Sequence, residues 1–378
     1  MRVALVYDCL FPYTVGGAER WYRNLAERLT AAGHDVTYLT LRQWEQGSEP
    51  EIPDVEVIAV GPKMLLYADG RRRLVPPLVF GLGVLAHLLR KGRRYDVVHT
   101  ASFPYFSLLA GAGARRLRRF RLIVDWVEVW TRDYWIEYLG SLGRVGWWVQ
   151  GVCARTRHRA FAFSNLHARR LGELGFGGDV TVLGGLYAGP LTARVATPAE
   201  EVVVYAGRHI PEKQVTALVP ALARARERMP ELRGEIYGDG PDRPRVLRAI
   251  EQHGLNGAVD APGFVAAEQV TEALRRAMCL VLPSRREGYG LVVVEAGALG
   301  TPSVVIEGPD NAATELIREG VNGFIARSTE PDDLAEAIVR IHEAGQALRE
   351  STSAWFAQNA DRLSIDASLE TVLRAYAD

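Results

Sequence analysis

Along the chain, short runs of apolar, β-branched residues alternate with longer stretches whose apolar residues recur at helical spacing. The first run is Val3–Tyr7, and it ends in a polar, glycine-containing turn, Thr14-Val15-Gly16-Gly17-Ala18-Glu19. Trp21, Leu25, Ala26 and Leu29 then repeat on one helical face up to a stop at Gly33, and Val36–Leu39 reads as the next strand. This strand-turn-helix-strand start predicts a parallel sheet. Further strands are predicted near Val55–Val60, Val97–His99, Leu122–Trp126, Ala160–Phe163 and Val180–Val182, with helical stretches between most of them.

The rhythm breaks at Tyr187–Pro198, which is rich in Gly, Pro and Thr and has no periodicity, as expected of an interdomain linker. A second series then begins. Strands are predicted at Val202–Ala206, Glu235–Tyr237, Val259–Ala261, Leu280–Leu282 and Ser303–Ile306. Helices are predicted at Gln214–Arg228, Arg245–His253, Val270–Arg276, Leu291–Leu299, Asp332–Glu343 and from about Ser353 to Ala377. The expected organisation is a Rossmann-like domain over 1–188, a second over 199–355, and a C-terminal helix over 356–378 packing back on the first. Two doubly wound α/β units facing each other across a cleft is the fold class this predicts. Ligands of such sheets bind beyond the carboxyl ends of the strands.

A length of 378 residues suits two domains. With 48% apolar and 24% charged residues the chain reads as a soluble globular protein, not a disordered one. Cys9, Cys153 and Cys279 are few and far apart, and the eight histidines form no HExxH pair. That excludes a disulfide framework and a zinc motif, suits a reducing cytoplasm, and leads us to expect no catalytic protein-bound metal. The N-terminus lacks the basic-then-apolar pattern of a signal peptide. The most apolar window, Leu74–Leu89, is too short to span a bilayer and contains Pro76 and Pro77; it is predicted to be a core helix.

Net charge is zero but unevenly spread. Residues 1–190 hold 25 Lys and Arg against 17 Asp and Glu; the remainder holds 20 against 28. A basic first half suits an acidic acceptor or peripheral contact with an anionic membrane. Aromatic residues (Trp126, Trp130, Tyr134, Trp135, Tyr138, Trp147, Trp148) and the Arg71–Arg73 and Arg115–Arg121 runs in this half are a candidate acceptor platform. No nucleic-acid-binding motif accompanies them.

The most informative segment runs from Pro283 to Pro302: a strand end, Ser284, a turn containing Glu287, Gly288, Tyr289 and Gly290, then a helix from Leu291 that carries Glu295. Glycines let backbone approach a ligand closely. The opening turn of a helix offers free N–H groups and a positive dipole end, suited to a diphosphate. Carboxylates accept hydrogen bonds from sugar and ribose hydroxyls.

This segment resembles the E-x7-E motif of GT-B-fold glycosyltransferases of the family 4 type. The resemblance implies that Glu287 meets the donor sugar and Glu295 the ribose of the nucleotide. Ser284, Gly288, Tyr289, Gly290 and Leu291 would approach the phosphates and sugar. Tyr205–Lys213 resembles the family's strand–GR–loop–K segment, implying that Arg208 and Lys213 neutralise the departing diphosphate. Pro262–Val265 resembles the segment whose backbone, at Phe264 and Val265, meets the nucleobase. Tyr237–Pro241 resembles the family's GxGP turn, and Asn311–Glu315 fits its C-terminal pattern. In the first domain, Gly16-Gly17 resembles the loop that approaches donor phosphates; it is not the GxGxxG dinucleotide fingerprint. His99, Asp125 and Glu128 end strands or follow them, and are candidate contacts to sugar or acceptor. Many relatives carry His just before Glu128, where this chain has Val127.

The resemblance implies a retaining hexosyl-type transfer from a UDP-, GDP- or dTDP-sugar to a hydroxyl of a glycan, lipid-linked or natural-product acceptor, with no other cofactor. The alternative is a non-catalytic nucleotide-sugar-binding partner of another transferase, which the Val127 departure favours. An epimerase or a phosphorylase on the same scaffold fits less well.

Overall fold

The computed structural model describes residues 1–45, 47–68, 71–192 and 198–377, with only the backbone of Ala68 and Arg71. Contacts divide the chain into two units. The first comprises Met1–Gly184 together with the segment from Ser368 onward, and the second is Gly185–Ala367. Both are Rossmann-like α/β layers around a parallel sheet.

The first unit is built on a seven-stranded sheet. In spatial order its strands are Val55–Gly61, Asp35–Leu41, Arg2–Val6, Val97–Ala101, Arg121–Trp126, Arg159–Ala162 and Val180–Val182. Every pairing is parallel. The central strands are continuous apolar runs because helices cover both faces: Val3–Val6 and Val97–Ala101 are buried throughout. Strand order turns back between Arg2–Val6 and Val97–Ala101, and the Gly16-Gly17 turn opens the Gly17–Ala31 helix directly after the first of these. Side-chain caps set two helix starts: Thr131 accepts from Tyr134 N (3.2 Å) and Ser164 from His167 N (3.3 Å).

The second unit repeats the scheme with six strands, in the order Val259–Gly263, Arg233–Tyr237, Val202–Ala206, Cys279–Leu282, Ser303–Ile306, Gly323–Ala326. All pair in parallel. Order turns back between Val202–Ala206 and Cys279–Leu282, and that switch point is where a ligand crevice forms in such sheets.

Several sequence expectations change. The helix expected over Gln214–Arg228 starts later, at Leu218–Arg226, because Pro211–Lys213 and Val215–Ala217 form 3₁₀ turns joined by Gln214 at φ +46. The Gly323–Ala326 strand was not anticipated. Two helices, Pro331–Leu363 and Ile365–Ala377, replace the expected Asp332–Glu343 and Ser353–Ala377; the first is interrupted at Gly345 and the chain breaks again at Ser364. The Leu74–Leu89 window does form a helix, Val75–Lys91, with Pro76-Pro77 in its first turn. It is not a wholly buried one: Phe80, Val84 and Leu88 face inward, whereas Leu74, Leu78 and Leu82 are 45–68% exposed. Of the expected linker, residues 193–197 lie outside the described residues. Its first residue, Tyr187, is anchored, donating to Leu363 O (3.0 Å) and accepting from Ile365 N (2.8 Å).

Candidate functional site

In the second unit, the candidate residues converge at the carboxyl ends of neighbouring strands. Arg208 follows Val202–Ala206 and is exposed, and its carbonyl accepts from the hydroxyl of Tyr205 at 2.9 Å. Three residues on begins the 3₁₀ turn Pro211–Lys213, which aims Lys213 at the next strand end. Its Nζ lies 2.5 Å from Oε1 of Glu287. Backbone ties the same two segments, since Arg285 N donates to Glu212 O at 3.0 Å. The two charged side chains are only 18% and 9% exposed. A charge-assisted bond in that setting is worth more than a surface pair.

Glu287 is held by an unusual brace. Arg286–Glu287 and Asp310–Asn311 form a two-stranded parallel pairing in which Glu287 stands opposite Asn311. Buried Asn311 donates through Nδ2 to Ser284 O (3.1 Å) and Ile306 O (2.8 Å), and its Oδ1 accepts from Ala313 N (3.1 Å). One side chain thereby spans the ends of two adjacent strands and fixes the turn that carries Glu287.

After Glu287 the chain passes through Gly288, Tyr289 and Gly290, all buried, into the Leu291–Ala298 helix. Gly290 is the N-cap at φ +96, and a Cβ there would stand 2.7 Å from Cβ of Ala313. Only glycine fits. The helix start leaves the amides of Leu291 and Val292 without intrahelical acceptors. Burial raises the pKa of the Tyr289 hydroxyl well above the ordinary phenol value. Glu295 lies in the second turn and is half-buried. Ser284 is fully buried, and its Oγ has no partner among the described residues.

On the other side of the switch point the strand-end loops stack. Gly207 N donates to Tyr237 O (3.1 Å), and Gly238 N to Gly263 O (2.9 Å). Gly238, at φ +117, could carry no side chain, since a Cβ would meet Gly207 O at 1.9 Å. The Tyr237–Pro241 turn thus spaces the Arg208 loop from the Phe264 loop. Phe264 is 71% exposed and Val265 half-buried beside it.

In the first unit the outcome is mixed. Gly16 caps the Gly17–Ala31 helix, and a Cβ on it would collide with the carboxylate of Glu19, which folds back over the helix start. His99 and Asp125 do not reach a surface, and the expectation that they touch sugar or acceptor is corrected. Both are fully buried. His99 Nε2 lies 2.8 Å from Asp125 Oδ1, its Nδ1 2.8 Å from the Tyr376 hydroxyl, and Trp21 Nε1 donates to Asp125 Oδ2 at 2.7 Å. Their polar atoms are satisfied inside the core. Glu128 is half-buried and accepts from Trp130 Nε1 at 2.8 Å.

The aromatic platform is also corrected. Trp126, Trp130, Tyr134 and Trp135 are buried, several of them around the carboxamide of Gln150, which accepts from Tyr105 OH, Trp130 N and Trp135 Nε1. Only Trp148 is widely exposed, at 66%. Arg72, expected in the acceptor platform as part of Arg71–Arg73, is instead buried in an ion pair with Asp8 just past the first strand, and sequence reading missed Asp8. A single Asp after a strand carries no signal of its own.

This arrangement has known counterparts. Residues 194–359 match the domain described as glycosyl transferases group 1, and residues 16–185 match the glycosyl transferase 4-like domain. The chain belongs to the GT-B-fold glycosyltransferases. Glycogen synthase of Mycobacterium tuberculosis is 27% identical, with 100% of this chain and 94% of that protein covered. An exopolysaccharide phosphotransferase of Streptomyces coelicolor is 36% identical over 143 residues, and the match spans only 14% of that longer protein. A D-inositol 3-phosphate glycosyltransferase of Streptomyces griseus is 32% identical over 40% of this chain and 34% of its own length. Among solved structures, sucrose-phosphate synthase of Thermosynechococcus elongatus superimposes with a TM-score of 0.79 at 19% identity, covering 100% of this chain and 98% of that one. Anabaena HepE, solved with UDP and glucose, gives 0.75 at 20% identity with both chains covered fully. These likenesses carry the GT-B fold. The group 1 match spans the Lys213–Glu287 pair, the Asn311 brace and the Gly290 helix start.

Proposed function

We propose that this glycosyltransferase moves a hexosyl-type unit from a nucleotide-sugar to an acceptor hydroxyl, with retention of anomeric configuration and without a metal ion of its own. The observation that carries the proposal is the Lys213–Glu287 pair at the switch point of the second sheet, beside the open amides of the Gly290 helix start. A diphosphate placed there meets an ammonium, the exposed Arg208 and a helix N-terminus, a set of fixed positive charges that stabilises a departing nucleotide. Drawing the ammonium toward phosphate frees a carboxylate oxygen of Glu287 for a sugar hydroxyl. Glu295 would take the ribose, and the backbone at Phe264 and Val265 the base. Gly16-Gly17, in the first unit, is a further proposed contact to the donor phosphates. The leaving diphosphate itself accepts the acceptor proton, so no separate Asp–His base is required.

UDP-, GDP- and dTDP-sugars all fit these contacts. The UDP complexes of HepE favour testing UDP-sugars first. Relatives named for glycogen and for inositol phosphate point to hydroxyl acceptors of different kinds. The experiment is a panel of nucleotide-sugars scored by binding and then by nucleotide release with acceptor extracts. Release from one donor, lost in Glu287→Gln, supports the reading. Binding of a donor with no release under any acceptor supports the second reading, a non-catalytic nucleotide-sugar-binding partner. That reading is favoured by Val127 and by the burial of His99 and Asp125, which leave fewer polar contacts in the first unit.

A further inference from the structure

The first sheet has a switch point of its own, and the side chains gathered there bear on the kind of acceptor. Strand order turns back between Arg2–Val6 and Val97–Ala101, so a crevice is expected beyond the carboxyl ends of these two strands. Asp8 stands two residues past the first strand, and Phe103 two residues past the second. Arg72 reaches both. Its guanidinium pairs with Asp8 Oδ2 and lies over the Phe103 ring, with Cζ 5.1 Å from the centroid. The Tyr67 centroid is 5.6 Å from the same carbon, and the Tyr138 hydroxyl accepts from Arg72 N at 2.8 Å.

These rings form one connected group. Phe103 and Trp130 have their centroids 5.3 Å apart, and Trp130 and Tyr138 5.1 Å apart. Trp130 is buried, whereas Tyr67, Phe103 and Tyr138 are half-buried and keep part of their surface open. Half-open aromatic rings offer flat apolar faces, and the tyrosines add a polar tip. Such a surface suits the C–H face and rim hydroxyls of a sugar ring.

Charge separates the acceptor classes. A phosphate or carboxylate is best held by a guanidinium fork. Here the Arg72 fork is already matched by Asp8, and its side chain is only 7% exposed. Glu19 is buried nearby: burial raises the pKa of the Tyr7 hydroxyl, the Glu19 charge adds to the rise, and Arg72 opposes it. Asp8 and Glu19 thus face a single buried guanidinium, a balance that repels an anion. Asp8 Oδ1 is buried with no hydrogen-bond partner among the described residues. A carboxylate oxygen accepts from a hydroxyl and has nothing to donate to a phosphate.

We propose that this crevice takes an uncharged, polyhydroxylated acceptor, a glycan or polyol, laid against Tyr67, Phe103 and Tyr138 with one hydroxyl directed to Asp8. Arg72 is a positioning residue that ties Asp8 to Phe103 across the switch point. Resting on the transfer reading above, this narrows the acceptor by charge and leaves the donor open.

The test divides an acceptor extract by ion exchange at neutral pH into unretained and retained fractions. Each is assayed for nucleotide release from the donor that the panel selects. Release is expected with the unretained fraction only. Phe103→Ala is expected to raise the KM for that acceptor roughly tenfold with the donor KM unmoved, and Phe103→Tyr to restore it. Asp8→Asn leaves the Arg72 fork unmatched, so inorganic phosphate should compete with the acceptor in this variant and not in the wild type. Where Asp8→Asn fails to fold, the two Phe103 variants carry the test. Release driven by the retained fraction, an unchanged acceptor KM in Phe103→Ala, a donor KM that rises with it, or a folded Asp8→Asn indifferent to phosphate would each overturn the proposal and leave transfer standing. No release with any fraction would overturn the transfer reading and this proposal with it.

Discussion

Lys213 Nζ and Glu287 Oε1 meet at 2.5 Å across the switch point of the second sheet, 74 residues apart in sequence and both largely shielded from water. The pair joins the strand-end loop that carries Arg208 to the turn that leads into the Gly290 helix. Each side chain keeps the other oriented.

That relationship predicts the behaviour of the two single variants and of the double. Glu287→Gln and Lys213→Ala are each expected to lower turnover by roughly 10² to 10³, the loss typical of one contact made in the transition state. Their effects should not add, because removing either also releases the other. A double-mutant cycle on nucleotide release measures this. Additive losses would mean that the two residues act independently.

Gly290→Ala tests the turn itself. The substitution forces a side chain into φ +96 and against Ala313. The strain is roughly 1–3 kcal/mol, and the helix start should shift away from its present position. A raised KM for the donor with a modestly lowered melting temperature is the expected result. A variant with wild-type KM would show that the amides of this turn do not meet the donor.

Tyr376→Phe probes the buried hydrogen bonding of His99. Removing the hydroxyl leaves His99 Nδ1 without its partner in a fully buried position. A cost of about 1–3 kcal/mol is expected for an unsatisfied buried group, read as a lower unfolding midpoint of the first unit. Turnover in the folded enzyme should be unchanged. If Tyr376→Phe instead kept full stability and lost turnover, His99 would have a functional role after all.

How much of this was legible depended on distance along the chain. The strand, turn and helix from Cys279 to Ala298 could be read because the signals are local: an apolar run, glycines, then helical spacing. Lys213 stood out as one of three lysines in an arginine-rich chain. The Asn311 brace was only partly visible, since its acceptors at Ser284 and Ile306 belong to two different strand ends. The closed core around His99 was not, because Tyr376 is 277 residues away from it and Trp21 is 104 from Asp125. The aromatics between Trp126 and Trp148 carry no sequence mark that separates a ring packed around Gln150 from one facing water. The apolar Val75–Lys91 helix was misjudged for the same reason: its composition hides an exposed stripe.

His158 predicts an acid sensitivity of the first unit, away from the candidate site. Its ring is buried against Trp126 and Phe176. Nε2 accepts the indole N–H of Trp126 at 3.0 Å, and Nδ1 lies 2.6 Å from the carbonyl of Thr156. These bonds suit a neutral imidazole with its proton on Nδ1; a second proton would point Nε2–H at another N–H. Burial, aided by the charge of Arg115 and opposed by the Thr156 contact, lowers its pKa to about 4. Unfolding restores an ordinary value near 6.5. Between those values the unfolded chain binds more protons than the folded one, so stability falls as pH drops from about 6.5 to about 4. It is flat in this respect above and below that window. The whole drop amounts to roughly 3 kcal/mol at about 1.4 kcal/mol per pKa unit. All tryptophans except Trp355 lie in the first unit, so their fluorescence follows its unfolding. Denaturant midpoints of wild type and His158→Gln, measured from pH 7.5 to 4.5, should show the wild type losing stability faster over this window. Parallel pH curves for the two proteins would mean that His158 titrates normally in the folded state.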